Sequence, residues 1–166
     1  GPVIDAHAWT RLKGLVDDAV SEGATLLAGG DRPAGLNAGH YLAPTVLTDV
    51  TETMAVYREE TFGPIVSIVP FDTKTELLRM ANDCEEGGLT AYIFTRNLAR
   101  AEHYAASLRY GEIQINGVKY DINLPHGGIG QSGIGHDCSA LALHDYLVQK
   151  RITRALDTTT FGELNP

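Results

Sequence analysis

Near the N-terminus, Ala8, Leu12, Leu15, Val16, Ala19 and Val20 recur at helical spacing, while Arg11, Lys13, Asp17, Asp18 and Ser21 take much of the opposite face. That period predicts an amphipathic helix of about four turns. Gly23 is placed to end it in a left-handed cap. A short apolar strand, Thr25-Leu26-Leu27-Ala28, follows and is closed by Gly29-Gly30. The stretch from Asp31 to His40 mixes Pro33, Gly35, Asn37 and Gly39 and reads as a surface loop. Tyr41 to Leu47 is β-prone apart from Pro44, which points to an edge strand.

The middle of the chain alternates strands and helices. Ile65-Val66-Ser67-Ile68-Val69 has the apolar run of a strand buried on both faces. Thr73 to Glu76 forms a Thr-x-x-Glu capping box, and Leu77, Leu78, Ala81 and Cys84 share one face of the helix it opens. Thr90-Ala91-Tyr92-Ile93-Phe94-Thr95 is the next strand. Asn97 caps a second helix with Leu98, Ala101, Tyr104, Ala105 and Leu108 on one face. After Gly111, Glu112-Ile113-Gln114-Ile115 is a third strand. Strand, helix, strand, helix, strand with short connections predicts two right-handed crossovers and one parallel sheet, an α/β fold with a βαβαβ core.

The last third departs from this rhythm. Asn116 to Asp137 holds six glycines and little periodicity, too many for a helix or a central strand. A short helix is expected from Ser139, with Leu141 and Leu143 apolar. Tyr146 to Leu156 then reads as a terminal strand. Leu147, Gln149, Arg151 and Thr153 lie on one face, and Tyr146, Val148, Lys150, Ile152 and Arg154 on the other. The polar stretch from Asp157 onward reads as a frayed tail.

Composition narrows the class. At 166 residues the chain is one domain or a piece of one, and 43% hydrophobic with 20% charged residues is globular. Two cysteines make no disulfide framework, which points to a cytoplasmic setting. Thirteen Lys and Arg against 21 Asp and Glu give a net charge of −8, which argues against a nucleic-acid partner. No apolar run approaches the ~20 residues of a membrane span, and no signal peptide pattern opens the chain.

Several residues invite chemistry. Cys138 lies in Gly135-His136-Asp137-Cys138-Ser139 with His144 close in sequence, so it reads either as a thiolate–imidazole nucleophile or as a small buried hydrophobe beside a turn. Cys84 belongs to an apolar helix face and is expected to be inert. The six histidines lack metal-ligand spacing, so no metal site is expected. The glycine string from Gly127 to Gly135 suggests either a phosphate cradle or a tightly folded loop in which backbone meets backbone. Glu59-Glu60-Thr61-Phe62-Gly63-Pro64 sets two carboxylates before an aromatic and a Gly-Pro turn, which is either a solvated acidic turn or a ligand rim.

Glu59-Glu60-Thr61-Phe62-Gly63-Pro64-Ile65-Val66 resembles the Glu-Glu-x-Phe-Gly-Pro-Val motif of the NAD(P)-dependent aldehyde dehydrogenase superfamily. Three further stretches resemble that family in its own order. They are Gly1-Pro2-Val3-Ile4 with the following helix and Gly29-Gly30, then Gly88-Leu89-Thr90-Ala91-Tyr92-Ile93-Phe94-Thr95, then Pro125-His126-Gly127-Gly128 with Ser132-Gly133-Ile134-Gly135. The resemblance runs to about residue 156 and implies a three-layer domain of the aldehyde dehydrogenase catalytic type. Residues 1–144 would be the C-terminal portion of the catalytic domain, 145–156 an oligomerisation strand that adds to a neighbouring subunit, and 157–166 a polar tail. In such enzymes a cysteine thiolate attacks the aldehyde, hydride passes to the nicotinamide, and a glutamate-activated water releases the acid.

The resemblance further implies that the nucleophile, the general base and the Rossmann-type cofactor domain precede Gly1. No catalytic residue is therefore expected in this chain, and the isolated chain should be inactive. Glu60 matches the glutamate that bonds the nicotinamide-ribose hydroxyls of NAD or NADP, and Phe62 the aromatic beside the nicotinamide end; Glu59 would be a solvated neighbour. Asn116 matches an asparagine at the end of the last sheet strand, either tying the loop or simply forming a turn. His126 stands where the family usually has Phe in the aldehyde tunnel. An imidazole there shifts the expectation toward a polar or anionic aldehyde, with packing inside the loop as the alternative. Gly130 in place of Lys, and His136-Asp137 in place of Arg-Glu, put the chain in a side branch. The partners expected are a small aldehyde and further copies of the chain, without nucleic acid or membrane. Two other functions compete: a non-catalytic assembly module, and a Cys138–His hydrolase.

Overall fold

The structure, a computed structural model, describes residues 1–83 and 87–154. Helix α1 (Ala6–Ser21) starts where the extended Asp5 accepts the Ala8 N–H on its carboxylate at 2.8 Å. It ends as the glycine requires. Gly23 sits at φ +111° and donates to Val20 O, and Ala24 donates to Ala19 O, which together satisfy the last carbonyls. Leu12, Leu15, Val16 and Ala19 are buried and pack on Leu42, Leu47, Val50, Met54, Val56 and Ile65 to form the first core.

That core rests on a three-stranded sheet in the order β1-β2-β3. Strand β1 (Thr25–Ala28) runs antiparallel to β2 (Thr45–Thr48), and β2 runs parallel to β3 (Ile65–Ser67). The short helix α2 (Ala55–Arg58) lies in the β2–β3 connection. Two expectations are corrected. The segment around Pro44 is not an edge strand: β2 begins one residue later and is central, so the missing proline N–H falls outside the ladder. The first residue of β2, Thr45, is buried, takes the Gly30 N–H and donates to Ala43 O. Strand β3 is also not buried on both faces. Ile65 is inside, but Val66 is 58% and Ile68 48% exposed.

The second unit begins with α3 (Lys74–Asn82), and both halves of its capping box are formed. Thr73 Oγ1 accepts the Glu76 N–H at 3.1 Å, and Glu76 Oε2 accepts from Thr73. Cys84 lies outside the described residues. Strand β4 (Thr90–Ile93), helix α4 (Leu98–Ser107) and strand β5 (Glu112–Ile115) form a parallel βαβ unit, with Asn97 Oδ1 capping α4 through the Arg100 N–H. Ile93, Ala101 and Tyr104 are its buried core.

The single βαβαβ sheet is corrected. Among the described residues β3 pairs with β2, β4 pairs with β5, and no ladder joins β3 to β4. A run of apolar residues makes a segment a strand, but it does not choose the neighbour; that is decided by which edges the rest of the chain supplies. The α/β class stands. The two units are tied by side chains. Arg79 makes a bidentate pair with Glu52 at 2.7 and 2.5 Å, and the Tyr57 hydroxyl donates to Met80 O.

From Asn116 the chain runs in turns, with 3-10 helices at Gly130–Ser132 and Ala140–Tyr146. The helix expected from Ser139 is thus a 3-10 one, opened by Ser139 Oγ accepting the Leu141 N–H at 3.2 Å. Tyr146 closes the second 3-10 helix rather than opening a strand, and residues 147–154 join no ladder within the chain. A strand is held by pairing along its backbone, and neither sheet brings an edge to this segment. Residues 155 and 156 and the polar tail lie outside the described residues. No helix among the described residues is long and apolar enough to cross a membrane.

Candidate functional site

The acidic turn is built by the first unit. Helix α2 ends at Glu59, where the backbone turns extended. The Arg11 guanidinium reaches over from α1 and donates to Glu60 O at 3.4 Å and Thr61 O at 2.6 Å, which fixes the course of the turn. Gly63 then lies against the Leu12 side chain, where a Cβ would collide. Between them Phe62 takes φ +43°, a left-handed conformation rare for an aromatic residue, and the residue is 82% exposed. Strain of this kind concentrates at ligand sites.

The second unit supplies His126. Its backbone forms an antiparallel bridge with Asp137, with N···O distances of 2.9 and 2.7 Å in the two directions. Its ring Nδ1 lies 2.8 Å from Glu112 Oε2 at the start of β5, and the Tyr120 ring meets the imidazole edge-on at 5.7 Å. Gln114 holds the same carboxylate through Nε2 at 2.5 Å. The His126 hydrogen bond keeps the Glu112 carboxyl below its ordinary range, aided by Gln114 and Thr90 and opposed by burial.

These two pieces meet. Glu59 and Glu60 border a depression of about 220 Å³ together with Leu89, Thr90, Tyr110 and Ser132. His126 borders another of about 460 Å³ with Leu89, Ser132, His136, Asp137 and Asp145. Leu89 and Ser132 are walls of both, so Glu60 and His126 open onto adjoining hollows. Phe62 stands outside both linings. An exposed carboxylate at the rim of an open hollow can accept from two vicinal hydroxyls, and an exposed aromatic face is flat and apolar.

The remaining candidates resolve differently. Cys138 does not pair with an imidazole; its Sγ lies 2.6 Å from the Tyr120 hydroxyl, and that contact pushes the Tyr120 phenol up. The thiolate–imidazole reading, and the hydrolase it would serve, is therefore corrected. Asn116, at φ +54°, accepts the Thr95 N–H and donates to Thr95 O, both at 2.8 Å. It ties the end of β4 rather than the following loop. The glycine string is the tightly folded loop: Cβ atoms placed at Gly88 and Gly111 would strike the carbonyl oxygens of Ile129 and Gly127. Among the described residues no group of three or more His, Cys, Asp or Glu is placed to hold a metal ion.

Glu112 is the residue that sequence reasoning missed. A signal was present, because Glu112 and Gln114 alternate with Ile113 and Ile115 and so give β5 a polar face. Its partner lies fourteen residues downstream across an irregular loop, and no periodicity spans such a loop.

Comparison with known proteins bears on the whole chain. The profile described as "Aldehyde dehydrogenase family" matches residues 1–152. Chloroplastic betaine aldehyde dehydrogenase of Atriplex hortensis is 34% identical over 98% of this chain and 32% of its own length. Glutarate-semialdehyde dehydrogenase of Pseudomonas putida is 40% identical over 89% of this chain and 30% of its own. Among solved structures, an aldehyde dehydrogenase of Mycobacterium tuberculosis complexed with NAD+ superposes with a TM-score of 0.84 at 34% identity, covering 88% of this chain and 30% of that one. The chain spans about a third of the length of the curated relatives it matches.

Proposed function

The chain belongs to the aldehyde dehydrogenase family, and on that premise we propose that it is the C-terminal part of the catalytic domain of an NAD(P)-dependent aldehyde dehydrogenase. The whole enzyme would oxidise an aldehyde to a carboxylic acid through a cysteine thiohemiacetal and thioester. Residues 1–144 belong to the catalytic domain, 145–156 to an assembly segment and 157–166 to a polar tail. The nucleophile, the general base and the cofactor domain lie in the part that precedes Gly1. The setting is cytoplasmic and the enzyme an oligomer of like subunits.

The observation that carries this reading is the pair of adjoining hollows, one bordered by Glu60 and the other by His126. An aldehyde dehydrogenase must bring the nicotinamide within reach of the aldehyde carbon, so a cofactor contact and a substrate contact need to be neighbours. Glu60 accepts the two ribose hydroxyls and so orients the cofactor. Phe62 offers its exposed ring beside it. His126 borders the passage of the aldehyde. The cofactor, when bound, supplies the hydride acceptor; the residues here position and shield.

The test compares the full-length protein with the isolated chain. The full-length protein should reduce NAD+ or NADP+ in the presence of aldehydes, and the isolated chain should not. In the full-length protein Glu60→Gln should weaken cofactor binding about tenfold, since a bond to a charged carboxylate contributes about 1.5–3 kcal/mol. Aldehyde-dependent NADH or NADPH formation by the isolated chain would refute the placement of the nucleophile. An unchanged cofactor dissociation constant would remove Glu60 from the site.

A further inference from the structure

Two neighbouring side chains of α1 carry the acidic turn. Arg11 is half-buried and makes no ion pair among the described residues. Its guanidinium is given to backbone instead, Nη1 to Glu60 O at 3.4 Å and Nη2 to Thr61 O at 2.6 Å. In an extended chain successive carbonyls point to opposite sides, so both meet one guanidinium only where the chain is turned. Phe62 follows at φ +43°, and then Gly63, whose missing Cβ leaves the space taken by the fully buried Leu12 side chain. A bulky L-residue leaves the left-handed region when nothing holds it there. Here the chain is held on both sides of Phe62, by Arg11 before it and by Leu12 after it.

We propose that Arg11 is a positioning residue for the cofactor, one that acts through the backbone of the turn and sets the direction in which the Glu60 side chain leaves it. This rests on the reading of Glu60 as the acceptor of the two ribose hydroxyls. The geometry asks for an arginine. A planar fork reaches two carbonyls at once, whereas an ammonium is a point charge, and bonds from a charged donor are the stronger kind. Arg11 in turn sits on a helix fixed at both ends, by the Asp5 cap and the Gly23 stop. The rim of the hollow that Glu60 borders is thereby referred to α1. Direction matters at that rim, because a carboxylate that is to meet two hydroxyls together loses one of them when it is misplaced.

Two measurements on the full-length protein test this. Without cofactor, hydrogen exchange at Ile65, which donates to Gly63 O at 2.8 Å, reports the turn, and exchange at Ala24, which donates to Ala19 O at 2.9 Å, reports α1. Arg11→Ala should accelerate Ile65 about tenfold and leave Ala24 within about twofold, with Arg11→Lys between the two at Ile65. Equilibrium binding of NAD+ or NADP+, whichever is held more tightly, is then compared across a double-mutant cycle. Arg11→Ala should raise the dissociation constant about fivefold and Glu60→Gln about tenfold, while the double variant stays near tenfold instead of the roughly fiftyfold of independent residues. Exchange at Ile65 unmoved by Arg11→Ala, equal acceleration at Ile65 and Ala24, or a double variant near fiftyfold would each overturn the proposal. If Glu60→Gln leaves cofactor binding unchanged, the reading of Glu60 has failed and the role of Arg11 falls with it. If Glu60→Gln weakens binding and Arg11→Ala does not, only the role of Arg11 has failed.

Discussion

Replacing Gly111 by Ala would test how the glycine loop is held against β5. Gly111 needs no special backbone conformation, because its φ lies outside the left-handed range, so the substitution acts by volume alone. The new Cβ would collide with the Gly127 carbonyl oxygen, with Gly127 C at 2.8 Å and Gly128 Cα at 3.3 Å. All three are backbone atoms, and no rotamer change relieves the overlap. The loop must retreat by roughly an ångström or more in a region packed at crystal-like density. Overpacking costs typically 1–3 kcal/mol, and with only backbone free to move the upper end, about 3 kcal/mol, is expected. At 1.4 kcal/mol per decade this is about a hundredfold.

The retreat should appear at the amides that fasten the loop. Gly111 and Ile129 both donate to Gly88 O, at 2.9 and 3.1 Å, and His126 donates to Asp137 O at 2.9 Å. Hydrogen exchange at Gly111 and Ile129 should accelerate about a hundredfold, with His126 following because it adjoins Gly127. Gly133→Ala is the control. Gly133 sits at φ +127°, and a methyl group there would meet nothing within 4 Å, so its cost of ~1–3 kcal/mol is conformational and should leave the Gly88 fastening protected. Exchange at Gly111 and Ile129 unchanged within about twofold in Gly111→Ala would refute the close approach.

Three further outcomes are expected. Thr73→Ala removes the side-chain half of the α3 capping box and should cost about 1 kcal/mol, read as a lower urea midpoint at unchanged slope. The Glu112 carboxyl titrates below its unfolded value, so its stabilising effect is present above that value and is lost as pH falls through the folded one; in His126→Phe its carbon-detected titration should move back up. Light scattering with and without residues 145–166 should show larger assemblies only when that segment is present, and a monomer in both forms would sink its assembly role.

Local signals were legible in the chain wherever the physics is local. The α1 period, the Gly23 stop, the Thr73–Glu76 box and the Asn97 cap each depend on residues within a turn of one another, and each is formed. Strand partners were not legible. Ile65 to Val69 has the composition of a doubly buried strand, yet Val66 and Ile68 stand exposed and β3 has no ladder to β4. Pro44 misled for the same reason: it forbids a ladder bond at one residue, and the strand simply begins at the next.

The candidate site divides along the same line. Glu60, Phe62 and His126 are candidates because short motifs carry them, and two of the three open onto adjoining hollows. Glu112 was not found, because its meaning lies in a contact across a loop that has no period. That contact matters more than the identity of His126 alone. An isolated imidazole presents a donor or an acceptor according to its tautomer, and so carries no fixed preference. Set against the Glu112 carboxylate, its Nδ1 is held at 2.8 Å and only Nε2 is left for another partner. What His126 can offer a ligand is therefore a property of the pair, and a chain with the same histidine but no carboxylate at the start of β5 should hold its imidazole differently.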